Sequence, residues 1–103
     1  MWIMTTAGML SIVDKDKDPT NLVVRARQRE ALVAMFPLHA QDILDGAGTD
    51  YRYRLILPRS FVAHVIGDSI GQINYPNFKS AVRDRRLHDA YLRVWQTMSH
   101  VSG

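Results

Sequence analysis

The sequence predicts an α+β fold of two layers, about four strands with two or three helices on one face, in the order β-β-β-α-β-α-α. Three observations lead there. Short apolar or β-branched runs, bounded by turn residues, recur before residue 27. A helix-forming stretch then separates the third run from a fourth. Beyond Pro58 the apolar residues recur mainly at helical spacing.

The elements follow in order. "WIMT" and "MLSIV" read as two strands joined by "TAG", with Gly8 free to take a positive φ. "DKDKDPTN" is a polar connector with Pro19 and Asn21 as turn residues. "LVVRA", Leu22 to Ala26, is β-branched and forms the third strand. "RQREALVAMF" carries Leu32, Met35 and Phe36 at helical spacing, and Pro37 stops it. "LHAQDILDGAG" reads as a helical turn or a loop, ended by Gly46 and Gly48. "YRYRLIL", Tyr51 to Leu57, is the fourth strand, expected to lie parallel to the third after a right-handed crossover.

"PRSFVAHVIGDSIGQI" is a helix with Phe61, Val62, Val65, Ile66, Ile70 and Ile73 on one stripe. Gly67 and Gly71 lie beside that stripe, where they would admit a close neighbour. "NYPNFKSAVRD" opens another helix, capped by Asn74 or Asn77. A break is expected near Asp84 to Arg86, before a last helix with Leu87, Tyr91, Val94, Trp95 and Met98 as its buried stripe.

Length and composition fit one domain spanning residues 1–103. The hydrophobic fraction is 47% and the charged fraction 22%, enough for a core without a staple. The absence of cysteine excludes disulfides, thiol catalysis and cysteine-bound metal. "MWIMTTAGMLSIV" lacks a basic leader and a long apolar run, so neither a signal peptide nor a membrane span is expected, and a cytoplasmic location is. The net charge of +3 permits an anionic partner and argues against an acidic mimic of DNA.

Several segments together carry a resemblance. "MWIMTTAGMLSIV", "LVVRAR", "GTDYRYRLILPR", "INYPNFKSAV" and "HDAYLRVWQTM" occur in this order along nearly the whole chain. In this the sequence resembles a widespread family of small bacterial and phage proteins of about this length. Their shared marks are a Met-Trp start, Arg-x-Arg, Gly-Thr-Asp-Tyr-x-Tyr-Arg and Tyr-x-Asn-Phe-Lys. The resemblance implies one coherent domain. It implies no activity, no cofactor and no catalytic residue.

The residues that invite a functional reading are arginines. Strand periodicity sends Tyr51, Tyr53, Leu55 and Leu57 one way and Arg52, Arg54 and Ile56 the other. Strand three repeats the pattern with Arg25 and Arg27. If the two strands adjoin, Arg25, Arg27, Arg52 and Arg54 share the sheet face away from the helices. Guanidinium forks suit phosphate or carboxylate, and Trp2 or Tyr75 would add a stacking surface. The competing reading pairs these arginines with Asp14, Asp16 or Asp50 across strands, with no ligand.

A second candidate anion site is Asn74, Asn77 and Lys79 at a helix start, against which simple capping competes. His64 with Asp68, and His88 with Asp89, lack the third ligand of a metal site. No Walker loop, dinucleotide fingerprint or nucleophile elbow appears.

Three functions compete. The first is a non-catalytic binding module that engages a protein, a nucleic acid or another anionic partner through the arginine face. The second is a small phage or mobile-element inhibitor or regulator, for example of a host defence system. The third is an enzyme on a phosphorylated substrate, with His64 or His88 as acid or base. No cofactor, metal or membrane partner is expected. A homodimer would use the edge of the first hairpin or the helix face of Trp95 and Met98.

Overall fold

The computed structural model describes residues 1–46 and 50–102. The fold is α+β, and the chain separates into two compact units, Met1–Ile73 and the segment from Asn74 onward.

The first unit is a five-stranded sheet with two helices on one face. β1 (Trp2–Thr5) and β2 (Gly8–Val13) form a hairpin, and β3 (Asn21–Ala26) lies antiparallel to β2. Helix α1 (Arg29–Met35) follows, then a 3-10 segment, Pro37–Asp42, begun by the proline expected to stop the helix. A short strand, β4 (Leu44–Asp45), precedes β5 (Tyr53–Pro58) and helix α2 (Arg59–Gly71). The sheet order is β1-β2-β3-β5-β4.

Two expectations change here. The segment read as a turn or loop contains β4, a strand of two residues that falls below what alternation in sequence can reveal. The strand after the crossover is antiparallel to β3, not parallel. β5 runs antiparallel to both β3 and β4, so β3 and β4 are mutually parallel. The crossover therefore lands on β4, and β5 returns as a hairpin between them. Gly46 makes that return with φ +76, and its N–H donates to the Arg52 carbonyl at 2.8 Å. Gly48 lies outside the described residues.

Register sorts the side chains. Leu10 faces Ala26 and Ala26 faces Tyr53; Ile12 faces Val24 and Val24 faces Leu55; Leu22 faces Leu57. These rows meet Ala31, Leu32 and Phe36 of the α1 segment and Val62 of α2 in one buried cluster. The turn of the first hairpin is fitted to α1. Gly8 has φ +142, and a Cβ there would lie 2.8 Å from the Cβ of Ala31.

The α2 stripe is only partly used. Val62 is buried and Phe61, Val65 and Ile66 are packed against the core, but Ile70 and Ile73 are exposed. Gly67 and Gly71 admit no close neighbour: a methyl at either would meet nothing within 4 Å among the described residues. The first turns of α2 cover the sheet, and the last ones extend past the cluster.

In the second unit, α3 (Phe78–Ala81) is capped by Asn77, whose side-chain oxygen accepts from the Ser80 N–H at 3.1 Å. Asp84 accepts from the Leu87 N–H at 3.0 Å and starts α4 (Arg85–Ser102), so the helix breaks where expected. Phe78 stacks on Tyr91 with ring centres 5.4 Å apart, and Tyr75 meets Phe78 in a tilted contact at 5.8 Å. The α4 stripe is buried at Tyr91 and half-buried at Leu87, while Val94, Trp95 and Met98 are exposed, against the continuous buried stripe expected.

Candidate functional site

The candidate site lies on the sheet face away from α1 and α2. Register builds it as one row across the strands: Trp2 faces Ser11, Ser11 faces Arg25, Arg25 faces Arg54, and Arg54 faces Leu44. An apolar row of Val13, Val23 and Ile56 flanks it on one side, and Met4 opposite Met9 on the other.

At the centre, two arginines stand directly opposite each other. Like charges at opposed sheet positions repel. Among the described residues no carboxylate pairs with Arg25, Arg27 or Arg54. Asp14 instead pairs with Arg59 at 3.4 Å, and Asp16 accepts from the Asn21 side chain at 3.1 Å.

Neutral groups hold the pair. The Arg25 guanidinium donates to the Ser11 hydroxyl oxygen at 2.8 Å. Its central carbon also lies 4.6 Å from the centre of the Tyr51 ring, and that of Arg27 lies 4.7 Å from the same ring. The Nε atoms of Arg25 and Arg54 are closed off from solvent and have no hydrogen-bond partner. A buried charged donor left without a partner is costly. Such a group in a folded protein calls for an explanation, a bound ion or water among them.

The surroundings are not a bare solvated surface, as a plain charged sheet face would be. Ser11 is 1% exposed, Val23 4% and Tyr51 7%, while Arg25 and Arg54 are half-buried. Less solvent surrounds the charges, so less of their field is screened.

Arg52 leaves the group. Its Nε donates to Asp45 at 2.7 Å, and its guanidinium lies 5.2 Å from the Tyr53 ring centre. The physical reason is that the ladder ends at the Ala26–Tyr53 pair. Residues 51 and 52 precede β5 and lie beyond its ladder with β3, so that ladder does not impose strand alternation on them. Tyr51 leaves the Tyr53, Leu55 and Leu57 side for the arginines, and Arg52 turns to β4. The same pairing lowers the Asp45 carboxyl below its ordinary value, first through the Arg52 hydrogen bond, and raises the Arg52 guanidinium.

Ser11 and Tyr51 are site members that inspection of charges misses. Ser11 was within reach of sequence reasoning, because strand parity puts it on the side of β2 away from Leu10 and Ile12, as it puts Arg25 on the side of β3 away from Val24 and Ala26. Tyr51 was not, because its position depends on where the ladder stops.

In the other unit, the Asn77 oxygen is occupied by the Ser80 N–H and hydroxyl. The Lys79 ammonium lies 4.7 Å from the Trp95 ring centre. The helix that Asn77 caps has four residues, too few to sum a useful dipole. His64 lies 3.2 Å from Asp68, and His88 lies 3.3 Å from Asp89, each as an isolated pair. Among the described residues no three His, Asp or Glu side chains come together as a metal set, and no helix is long and apolar enough to cross a membrane.

No family model, no curated protein and no solved structure matches the chain. The functional reading therefore rests on these residues alone.

Proposed function

We propose that the chain is a non-catalytic binding module that engages an anionic partner at Arg25 and Arg54, with Arg27 and Tyr51 beside them. One observation carries this reading: two half-buried arginines oppose each other, with sealed and unpartnered Nε donors and no carboxylate among the described residues. An arriving phosphate or carboxylate would offset the repulsion between the two guanidinium groups. The Ser11 hydrogen bond and the Tyr51 ring fix Arg25 beforehand, which lowers the ordering cost of binding.

The test is binding of three labelled probes, a single-stranded oligonucleotide, a phosphopeptide and an acidic peptide, followed by fluorescence anisotropy. At least one should bind, and Arg25→Ala with Arg54→Ala should weaken it at least tenfold, since a hydrogen bond to a charged group contributes about 1.5–3 kcal/mol. Failure of all three probes, or equal binding by the double variant, overturns the proposal.

A further inference from the structure

We propose that the arginine face binds single-stranded nucleic acid, with Trp2 as the platform on which a base stacks. This deepens the reading of Arg25 and Arg54 as an anion site and rests on it. Register puts Trp2, Ser11, Arg25 and Arg54 in one row on one face of the sheet. Ser11 is buried and Arg25 half-buried, yet the Trp2 indole at the end of the row is 70% exposed. Among the described residues no ring and no cation lies against it.

The ring of Tyr51 cannot take that part. Tyr51 is 7% exposed, and the guanidinium groups of Arg25 and Arg27 already lie against it. One ring therefore fixes the cations, and the other stays open to a ligand. Every base has a π-face, and a positively charged track beside an exposed aromatic holds single strands without reading their sequence.

The chemistry of the row selects the ligand. It calls for a molecule in which negative charge and flat rings recur along one chain. A single strand brings a phosphate with every base. A phosphopeptide brings its charge at one residue, with no ring obliged to accompany it, and an acidic peptide brings charge alone. A duplex stacks its bases on one another and presents only their edges in the grooves. Trp2 and Arg54 stand three strand spacings apart, about 14 Å, whereas the major groove is about 12 Å wide, so one groove does not admit both. Along a single strand the same span is about four nucleotides at roughly 3.4 Å each, and fewer when the strand is extended.

The experiment is fluorescence anisotropy with labelled chains of equal length: a thymidine DNA strand, a uridine RNA strand, an abasic DNA strand with the same phosphates, and a duplex, beside a phosphopeptide. The wild-type chain should bind the thymidine or the uridine strand at least about fivefold more tightly than the abasic one, and the tighter of the two shows which sugar is preferred. Trp2→Ala should lose that advantage and keep its binding of the abasic strand, while Trp2→Phe should retain part of the advantage. Trp95→Phe leaves Trp2 as the sole tryptophan, so quenching of its emission by the bound strand reads the stacking even if Trp2→Ala fails to fold. An abasic strand or a duplex bound as tightly as the single strands overturns the assignment and leaves the anion site standing. So does a phosphopeptide bound where no single strand is, or a single strand bound without quenching. Failure of every anionic probe overturns the anion site itself, and this inference with it.

Discussion

Arg54 is held by less than any other member of the site. It opposes Arg25, has a sealed Nε and, among the described residues, gains no carboxylate. Arg54→Thr removes the repulsion and leaves a good strand former, so thermal stability should be unchanged or higher, by up to about 1 kcal/mol. The same variant should lose probe binding. A residue whose removal stabilises the fold while abolishing capture is kept for capture, and a melting curve beside an anisotropy titration shows both. Gly8 gives the opposite result. Its φ of +142 and the 2.8 Å approach to Ala31 make Gly8→Ala costly, about 1–3 kcal/mol from overpacking, measured by urea denaturation. Leu32 is fully buried at the meeting of α1 with the sheet, and Leu32→Ala should cost about 2–5 kcal/mol in the same assay.

The elements were legible where alternation or helical spacing was long enough to read. The first hairpin, β3 and the Asp84 break follow from Gly8, from the β-branched run at Val23 and Val24, and from the shift of apolar phase after Val82. β4 and the fate of residues 51 and 52 were not, because both depend on where tertiary pairing stops. The exposed ends of α2 and α4 were also missed: periodicity states which residues share a stripe, and only packing states how much of it is covered. The β4–β5 hairpin carries a pH prediction. Asp45 has a lowered carboxyl value in the folded chain, so its contribution is complete above the ordinary carboxylate value of about 4. It is lost as pH falls through the lower folded value. Asp18, lowered first by its hydrogen bond from the Thr20 hydroxyl, follows the same sign. Denaturation midpoints of wild type and Asp45→Asn should therefore differ at neutral pH and converge in acid. The pair is exposed, so salt should shrink the difference.

At the scale of the molecule, the two-layer class was readable because hydrophobic patterning alone decides it, whereas the site required coordinates. Sequence placed four arginines together; the structure keeps Arg25, Arg27 and Arg54 and ties Arg52 to Asp45. Any oligonucleotide captured by those three should show log affinity falling with log salt by roughly 0.7 per phosphate contact, so about two in all. An anisotropy titration repeated at several salt concentrations reads that slope, and a flat line would mean that phosphates are not what the arginines hold.

The insertion of β5 between two parallel neighbours also orders events in time. β4 touches no strand except β5, so it has nothing to join until β5 has docked on β3. With two residues and one partner, it should form last on refolding and open first in the native state. Its amides should exchange with solvent ahead of every other strand, and the Asp45–Arg52 link should lag behind the core in a stopped-flow record. The Arg25–Arg54 row would then be assembled before its outer edge closes.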